Sequence, residues 1–361
     1  MSIPSQRIIG LGGAGGKIAN AVACATAGRL SAAAVDTDFA AVSALGACQQ
    51  VRLGELRFRG LGAGGDVAAA RMAALEDPEP LRRLLEGVAL VVVVAGLGGG
   101  TGSGLLPVLL DMAAESNVRT IVVAVTPFAI EGAERLRLAG AAQRAVAEKG
   151  DLRLLVSNDD LVAQTPGALL SETFETATET LSAAMTLFWR LTAHPGYLHL
   201  DPGELLSLCV AGRGPVDFAV GRAQGPDRLP AALEAVLGSR GLGLARHADE
   251  ARAALVGVVG GRDLRLAEVG DAVRGIAGQL GPDVPVRLST VLEPESEGSI
   301  ALVVLFFRNW SGEDAPPAPA AAAPAPSGQT RFSAAEPTLG AEGENLDEPT
   351  YLRRHLHVDA N

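Results

Sequence analysis

The sequence predicts an α/β fold in which a parallel sheet with helices on both faces is followed by one long helix and a smaller second α/β domain. Three observations support this prediction. Short apolar runs alternate with helical stretches through the first part of the chain, an apolar stripe with helical spacing follows, and a second set of short apolar runs comes after it. Strands that alternate with helices are typical of parallel sheets, because parallel strands need a crossover connection.

Five apolar runs in the first part of the chain are candidate strands. They are Arg7–Ile9, Ala32–Val35, Val88–Ala95, Thr120–Val125 and Leu152–Val156. The run Val88–Ala95 is almost continuously aliphatic, which is typical of a strand whose two faces are both buried. Helical patterns lie between the runs, so we expect one parallel sheet that is covered on both sides.

Residues Ala168–Ala193 carry the pattern of one long helix. Apolar residues recur there at steps of three and four, which places them on one helical face. They are Leu170, Phe174, Ala177, Leu181, Ala184 and Phe188. A helix of this length would run about 39 Å, which is the width of a small domain. His194, Pro195 and Gly196 are expected to end it.

A smaller α/β or α+β unit is predicted after the long helix. Its candidate strands are Ala254–Val259, Val286–Val291 and Ile300–Phe307, and Leu264–Gln279 is a candidate helix. From Asp314 to Ser327 the composition changes to Pro and Ala, which cannot bury enough apolar surface to fold. The predicted organisation is a first domain at 1–167, the long helix at 168–194, a second domain at 195–310, a disordered linker at 311–343 and a C-terminal peptide at 344–361.

Composition limits the class of protein. The 361 residues are 48% apolar, so a sizeable core can form, and the formal charge of −11 argues against nucleic-acid binding, which needs a basic face. No signal-peptide pattern opens the sequence, and no apolar run reaches the roughly 18 residues that span a bilayer. We therefore expect a cytoplasmic protein without membrane insertion. Cys24, Cys48 and Cys209 form no CxxC pair and are expected to be buried, reduced thiols.

The first of three glycine-rich loops, Gly10–Lys17, lies between a candidate strand and a candidate helix. Glycines in such a place let the backbone approach phosphate groups, and the helix N-terminus adds partial positive charge. The loop also fits the GxGxxG pattern, and Asp36 or Asp38 follows about twenty residues later, after another strand. Taken alone, this loop leaves a dinucleotide-binding Rossmann enzyme as an alternative.

The other two glycine-rich loops are Gly60–Asp66 and Gly98–Gly104, and the latter follows the run Val88–Ala95. A dinucleotide site has no need of a further phosphate loop on a later strand, whereas a triphosphate needs several sets of N–H donors and hydroxyls. The loop Gly60–Asp66 alone is equally consistent with a tight turn. The loop Gly98–Gly104 reads GGGTGSG and lacks the GxxxxGK[ST] pattern of a Walker P-loop. Together the three loops favour a nucleoside triphosphate.

Several segments resemble the tubulin/FtsZ family in order and spacing. They are GLGGAGGKIAN from Gly10, VDTDFAAV from Val35, GLGAGGD from Gly60, GGGTGSG from Gly98, VTPFAIEGAERLR from Val125, SNDDL from Ser157, GGRDLRLAEV from Gly260 and STVLEP from Ser289. The resemblance covers about Arg7 to Phe307. It implies a tubulin/FtsZ-type fold, with a Rossmann-like GTP-binding domain, a long central helix and a C-terminal domain for polymerisation.

The resemblance also implies which residues form the GTP site. They are Gly12, Gly13, Ala14, Gly15, Gly16, Lys17, Asp36, Gly62, Ala63, Gly64, Gly65, Gly98, Gly99, Gly100, Thr101, Gly102, Ser103, Gly104, Glu131, Arg135, Asn158, Phe174 and Glu179. The three loops would surround the phosphates. Glu131 and Arg135 match the family's ribose and phosphate contacts, although an ordinary surface pair at i, i+4 is the alternative. Asn158, Phe174 and Glu179 match positions that contact guanine, and Phe174 is equally suited to a core.

A loop after the long helix is implied to complete GTP hydrolysis at the junction between two subunits. Asp201 and Glu204 match the two acids that would position the attacking water on the neighbour's GTP, with Mg²⁺ held through the phosphates and by no protein metal site. His199 replaces an Asn of the family pattern, and Pro202-Gly203 is an unusual pair between the acids. A filament protein with little or no GTPase activity therefore stays open as an alternative.

The C-terminal peptide Glu344–Asn361 resembles the family's docking peptide, in which a short motif follows a disordered spacer. The implied partners are other copies of this chain, in head-to-tail filaments, and division proteins that tether the peptide to the membrane. The implied location is the cytoplasm at mid-cell.

Overall fold

Alternating strands and helices form the chain in the computed structural model, which describes residues 5–162, 169–193, 197–198, 200–238 and 248–311. The strands are β1 (Gln6–Leu11), β2 (Ser31–Asp36), β3 (Gln49–Arg52), β4 (Leu90–Gly96), β5 (Arg119–Thr126), β6 (Leu152–Ser157), β7 (Gly214–Gln224), β8 (Ala253–Gly260), β9 (Val286–Leu292) and β10 (Ser299–Phe307). The helices are α1 (Gly12–Ala25), α2 (Phe39–Ser43), α3 (Glu55–Phe58), α4 (Val67–Glu76), α5 (Glu79–Leu85), α6 (Gly100–Glu115), α7 (Ala133–Val146), α8 (Asn158–Val162), α9 (Leu170–Ala193), α10 (Pro202–Ala211), α11 (Arg228–Gly238) and α12 (Leu266–Ala277). These residues fall within one compact unit, Met1–Ala318.

One sheet contains all ten strands of the described residues, in the order β3-β2-β1-β4-β5-β6-β7-β10-β8-β9. Strands β1 to β6 run parallel to their neighbours, and β10 runs antiparallel to both β7 and β8. The parallel sheet that the alternation of strands and helices predicts is therefore confirmed. The chain reverses its winding direction between β1 and β4, and in open α/β sheets the crevice at such a point receives ligands.

Burial along β4 shows why this strand is so uniformly aliphatic. Leu90, Val92 and Val94 pack into the apolar core on one face of the sheet, whereas Val91 and Val93 pack into the core on the other face. Side chains alternate between the two faces of a strand, so both faces of β4 are buried. The prediction from the run Val88–Ala95 is confirmed, although the strand itself begins at Leu90.

Helix α9 is the long helix that the periodic pattern predicts, and its 24 residues give a length of about 36 Å. Leu181, Ala184 and Phe188 lie in the same core cluster as Val123 of β5 and Val303 of β10. The helix thus packs beneath both halves of the sheet and holds them together. Residues 194–196, which were expected to end it, lie outside the described residues, as do the predicted linker and C-terminal peptide.

The second half of the chain contains more regular structure than the sequence analysis predicted. The three candidate strands there are confirmed as β8, β9 and β10, and the candidate helix as α12. The unpredicted elements are α10, β7 and α11. In β7, polar residues such as Asp217, which forms an ion pair with Arg308, interrupt the apolar ones. The sequence therefore has no long apolar run that predicts this strand.

The prediction that all three cysteines are buried is wrong. Cys209 is fully buried, and this burial raises the pKa of its thiol to about 12. Cys48 is partly buried and Cys24 is exposed. Helix α1 buries a stripe that includes Ile18, Ala19 and Val22, and Cys24 falls outside it. All three thiols are free.

None of the helices in the described ranges combines the length and the apolar character needed to cross a membrane.

Candidate functional site

A cavity of about 340 Å³ lies where the sheet changes its winding direction, beyond the carboxyl ends of β1 and β4. The first turns of α1 and α6, the turn before α7, the start of α8 and one face of α9 enclose it. Eleven of the residues that the sequence assigns to a nucleotide site line this cavity. They are Gly12, Gly13, Ala14, Gly99, Gly100, Thr101, Gly102, Glu131, Arg135, Asn158 and Phe174.

Two uncapped helix N-termini meet at one end of the cavity. Helix α1 begins at Gly12 and α6 begins at Gly100, and neither has a side-chain cap or an acidic residue in its first turn. Other helix N-termini among the described residues differ: Asp66 caps α4 and Asp201 caps α10, and α3, α5 and α7, which also lack a side-chain cap, carry a glutamate in the first turn. The first N–H groups of a helix have no partner within the helix, and they favour an anion. This end of the cavity therefore suits a chain of phosphates.

Glycine is required where the two loops meet. A Cβ atom on Gly102 would lie 2.2 Å from the carbonyl oxygen of Gly96, and one on Gly12 would lie 3.1 Å from the amide nitrogen of Gly102. Gly12 also has a φ of +72°, which disfavours any other residue. The close approach of the two backbones brings both sets of N–H groups to one place.

The cavity carries little side-chain charge. Among the residues that line it, Glu131 and Arg135 alone are charged, and they form an ion pair with each other. The second oxygen of the Glu131 carboxylate accepts a hydrogen bond of 2.9 Å from the backbone N–H of Phe128. The pair is thus both a contact at i, i+4 and part of the cavity wall. Backbone dipoles must supply most of the attraction for an anion.

The other end of the cavity is apolar and flat. The Phe174 ring is 44% exposed, and its edge-to-face partner Phe128 lies 5.0 Å away between ring centres. Ala177, Thr178 and Leu181 follow Phe174 on the same face of α9, and Asn158 adds an amide. An exposed ring beside one amide is suited to stacking on a heterocyclic base and to forming hydrogen bonds with its edge. Because Phe174 is half exposed, the alternative that it is a core residue is not supported.

Glu179 is placed differently from the prediction. Its side chain is exposed and does not line the cavity, whereas Thr178 does. Thr178 lies four residues after Phe174, at the spacing that keeps two residues on one helical face, and Glu179 is turned about 100° further around the helix. This spacing could have identified Thr178 from the sequence.

Asp36 supports the cavity without lining it. Its Oδ1 atom accepts hydrogen bonds from the N–H groups of Thr37, at 2.7 Å, and Asp38, at 3.2 Å, and burial raises the pKa of this carboxyl. The Thr37 hydroxyl lies 2.7 Å from the Thr101 hydroxyl and accepts a hydrogen bond of 3.0 Å from the N–H of Ala63. Thr37, which the sequence analysis did not select, therefore ties the loop Gly60–Asp66 to the loop Gly98–Gly104.

This arrangement weakens the dinucleotide alternative. In a Rossmann enzyme an acid after the second strand faces the ribose of the cofactor. Here Asp36 is buried and bonded to its own backbone, and Asp38 caps α2 by accepting from the N–H of Ala41. Neither carboxylate lines the cavity.

The remaining predicted residues lie around the cavity and not on its surface. They are Gly15, Gly16, Lys17, Gly62, Ala63, Gly64, Gly65, Gly98, Ser103 and Gly104. Most have a packing role: a Cβ on Gly104 would lie 2.6 Å from the carbonyl oxygen of Val67, and Ser103 accepts a hydrogen bond from the N–H of Gly98. The loop Gly62–Gly65 packs against Gly100, since a Cβ atom added to Gly100 would lie 3.1 Å from the carbonyl carbon of Gly65. Lys17 is exposed.

The two glycines Gly15 and Gly13 offer a matched test of this division. A Cβ on Gly15 would lie 2.3 Å from the carbonyl oxygen of Val94, whereas one on Gly13 meets no atom within 4 Å. We expect Gly15→Ala to lower the free energy of unfolding by about 1–3 kcal/mol, because α1 must move away from β4. We expect Gly13→Ala to leave the free energy of unfolding unchanged or slightly higher. Urea denaturation of both variants measures the difference, and equal stabilities would contradict the close packing of Gly15.

The two predicted acids lie far from this cavity. Asp201 caps α10, with its Oδ1 atom accepting from the N–H groups of Gly203 and Glu204 at 2.6 and 3.1 Å. Glu204 forms an ion pair with Arg287 of β9. The segment follows the C-terminal end of α9, and Phe174 and Ala193 are separated by roughly 28 Å of helix. His199, the other predicted feature of this loop, lies outside the described residues.

In the described part of the chain, no group of three or more His, Cys, Asp and Glu side chains is arranged to hold a metal ion.

Comparisons with known protein families give two matches. Residues 6–166 match the Tubulin/FtsZ family, GTPase domain, and residues 214–307 match the FtsZ family, C-terminal domain. Among curated proteins, the chain is similar to cell division protein FtsZ of Pseudomonas aeruginosa, with 32% identity over 232 residues, which is 64% of this chain and 59% of that protein. It is also similar to cell division protein FtsZ 1 of Pyrococcus abyssi, with 32% identity over 64% of this chain and 62% of that protein. The chain thus spans about three fifths of the length of the curated relatives it matches.

Solved structures share the fold over a larger part of the chain. A structure described as "FtsZ dimer, empty" from M. jannaschii has a TM-score of 0.78 and 24% identity, covering 84% of this chain and 88% of the other. The GTPγS-bound protofilament of CetZ2 from Haloferax volcanii has a TM-score of 0.71 and 30% identity, covering 84% of this chain and 92% of the other.

Proposed function

This chain belongs to the tubulin/FtsZ family, and we propose that it is a cytoskeletal GTPase that binds GTP in the cavity between β1 and β4 and assembles head to tail. The observation that carries this proposal is the pair of uncapped helix N-termini, which meet at one end of a cavity whose other end is an exposed aromatic ring. A nucleoside triphosphate has the same two ends, an anionic chain and a flat base.

The phosphates would be held mainly by backbone N–H groups. Gly12 and Gly13 open α1, and Gly100 and Thr101 open α6, so their N–H groups are available to phosphate oxygens. Thr101 adds a hydroxyl that the bond to Thr37 holds in place. Mg²⁺, bound through phosphate oxygens, would neutralise part of the charge of the triphosphate. Arg135 offers a cation at the cavity wall, where its ion pair with Glu131 holds its side chain.

Guanine would occupy the apolar end. Phe174 would stack on the ring system, and base stacking on an aromatic side chain contributes about 1–3 kcal/mol. The Asn158 amide would form hydrogen bonds with the edge of the base. The Glu179 side chain is exposed and does not line the cavity, whereas Thr178 lines it, so Thr178 is the residue of that region which is placed to contact the nucleotide.

Hydrolysis would need a second subunit. The acids Asp201 and Glu204 follow the far end of α9, roughly 28 Å of helix away from Phe174, so they cannot reach the nucleotide of their own chain. They would reach the nucleotide of a neighbour stacked on this end of the molecule. There the two carboxylates would orient the attacking water, and the protein's contribution would be one of positioning.

The proposal is tested by measuring phosphate release at increasing protein concentration, together with light scattering in GTP, GDP and ATP. We expect turnover per subunit to rise steeply above a threshold concentration, and scattering to increase with GTP only. Turnover that stays flat from dilute to concentrated protein would rule out a site shared between subunits. Absence of guanine-nucleotide binding with Mg²⁺ would rule out the whole proposal.

A second candidate is a filament protein that binds GTP and hydrolyses it slowly. Its support is the departure from the family pattern between the two acids, where Pro202 and Gly203 follow Asp201 at the start of α10. The same two measurements separate the candidates, because this one predicts GTP-dependent scattering with little phosphate release.

Recruitment to the division site would depend on Glu344–Asn361, which lies outside the described residues. We propose, from its resemblance to the family's docking peptide, that it binds membrane-tethering division proteins at mid-cell.

A further inference from the structure

We propose that Arg287 is a positioning residue for hydrolysis, which fixes the Glu204 carboxylate and offsets its charge when that carboxylate approaches a neighbour's triphosphate. The inference rests on the proposed function, because it gives a role to a residue beside the acids of the subunit junction. Arg287 lies on β9, 83 residues beyond Glu204 in the chain, and its Nη1 atom donates to Glu204 Oε1.

Arg287 contacts the Trp310 ring as well as Glu204. Its guanidinium carbon lies 5.8 Å from the centre of the Trp310 ring, and cations are attracted to the face of such a ring. Its Nε atom is buried and has no acceptor in the described part of the chain. Among the described residues, Glu204 is the one carboxylate that forms an ion pair with Arg287. The position of the guanidinium therefore determines where the Glu204 carboxylate lies.

Glu204 lies at a helix position where the side chain commonly forms a different hydrogen bond. It is the third residue of α10, and a Glu at this position commonly bonds back to the N–H of the capping residue. Here the cap is provided by Asp201 alone, and Glu204 turns to Arg287 instead. Asp201 accepts a hydrogen bond from the backbone N–H of Glu204, so one short segment sets the relative position of both acids.

Two physical consequences follow for a subunit junction. A fixed carboxylate can orient a water molecule, whereas a displacement of about 1 Å in a positioning group can reduce the rate about 100-fold. A carboxylate that approaches a triphosphate is also repelled by it, and the Arg287 charge reduces this repulsion. Both effects act on turnover and on closure of the junction, and neither acts on nucleotide binding in the distant cavity of the same subunit.

The test is a double-mutant cycle at Arg287 and Glu204. Arg287→Met keeps an unbranched side chain against Trp310 but removes the charge, and Glu204→Gln removes the partner's charge. We expect Arg287→Met to reduce kcat by about 10-fold to 100-fold with unchanged GTP affinity. We expect the double variant to be no slower than Glu204→Gln alone, because the two residues act as a unit. A purely structural role of Arg287 would instead give additive losses.

Arg274→Met is the matched control, because Arg274 forms an exposed ion pair with Asp271 on α12 in the same half of the chain. It is expected to keep wild-type turnover. Should Arg287→Met fail to fold, Arg287→Lys replaces it in the test. A partial loss of turnover in Arg287→Lys supports the inference, and full turnover overturns it.

The outcomes separate this inference from the proposed function. If the wild-type protein releases no phosphate at any concentration, the proposed hydrolysis is wrong, and the inference is wrong with it. If wild-type turnover rises with concentration and Arg287→Met has the same kcat, the inference alone is overturned. Losses that are additive in the double variant also overturn it.

Discussion

Gly99→Asp is expected to weaken GTP binding by about 100-fold or more while leaving the protein as stable as the wild type or more so. Gly99 is the capping residue of α6, its backbone has the extended conformation that suits a cap, and a Cβ atom there meets no atom within 4 Å. An Asp side chain would accept hydrogen bonds from the free N–H groups of α6 and would favour the helix dipole. This gain is about 0.5–1 kcal/mol.

The same side chain would occupy the place of a phosphate and repel the others. Like charges in contact cost several kcal/mol, and about 1.4 kcal/mol corresponds to a tenfold change, so we expect affinity to fall by roughly 100-fold to 1000-fold. Titration with a fluorescent guanine nucleotide measures the affinity, and thermal unfolding without nucleotide measures the stability. Most variants that weaken binding also destabilise the fold, so opposite signs of the two effects identify the helix N-terminus as the anion site.

Gly99→Asn is the control for charge. It can cap α6 equally well but adds no negative charge, so its affinity should lie between those of the wild type and Gly99→Asp. If Gly99→Asp binds GTP within a factor of about two of the wild type, the phosphates do not lie at the start of α6.

The sequence was most informative where one local signal had one structural solution. The aliphatic run at Val88–Ala95 indicates a strand buried on both faces, and a glycine-rich loop that follows such a strand indicates a helix N-terminus open to an anion. The stripe along α9 defined that helix almost to the residue. In each case the chain's own periodicity and the absence of a Cβ atom determine the structure, so a single sequence suffices.

The sequence was least informative where contacts between residues that are distant in the chain determine the local structure. Strand β3 has one buried residue, Val51, and forms because it adds to the edge of β2. The role of Thr37 depends on Thr101 and Ala63, which are distant in sequence, and the orientation of Glu204 depends on Arg287. Glu179 shows a different limit: its assignment rests on the family resemblance, and its side chain is exposed and does not line the cavity, whereas the neighbouring Thr178 does.

Asp201→Asn is expected to reduce GTP turnover by about 100-fold while binding GTP as the wild type does. An Asn side chain keeps the oxygen that caps α10, so the fold should be preserved, whereas it loses the charge that would orient and polarise water. Asp201→Ala is the contrasting variant, because it also removes the cap and should lower the free energy of unfolding by about 1 kcal/mol. Phosphate release, nucleotide titration and thermal unfolding distinguish the two variants.

A mixture of Asp201→Asn and Gly99→Asp tests whether the site is shared. The first variant binds GTP but lacks the acid, and the second has the acid but binds GTP only weakly, so each alone should have little activity. If the acids act on a neighbour's nucleotide, the mixture should release phosphate at junctions where the acid segment of Gly99→Asp meets the nucleotide of Asp201→Asn. A mixture of Asp201→Asn with the Gly99→Asp/Asp201→Asn double variant should stay inactive, because no subunit carries the acid. Recovery in the first mixture cannot come from a site within one chain, since no chain in that mixture carries both the unaltered cavity and Asp201. If the wild-type protein is active but the first mixture releases phosphate no faster than either variant alone, hydrolysis does not use a neighbour's acids.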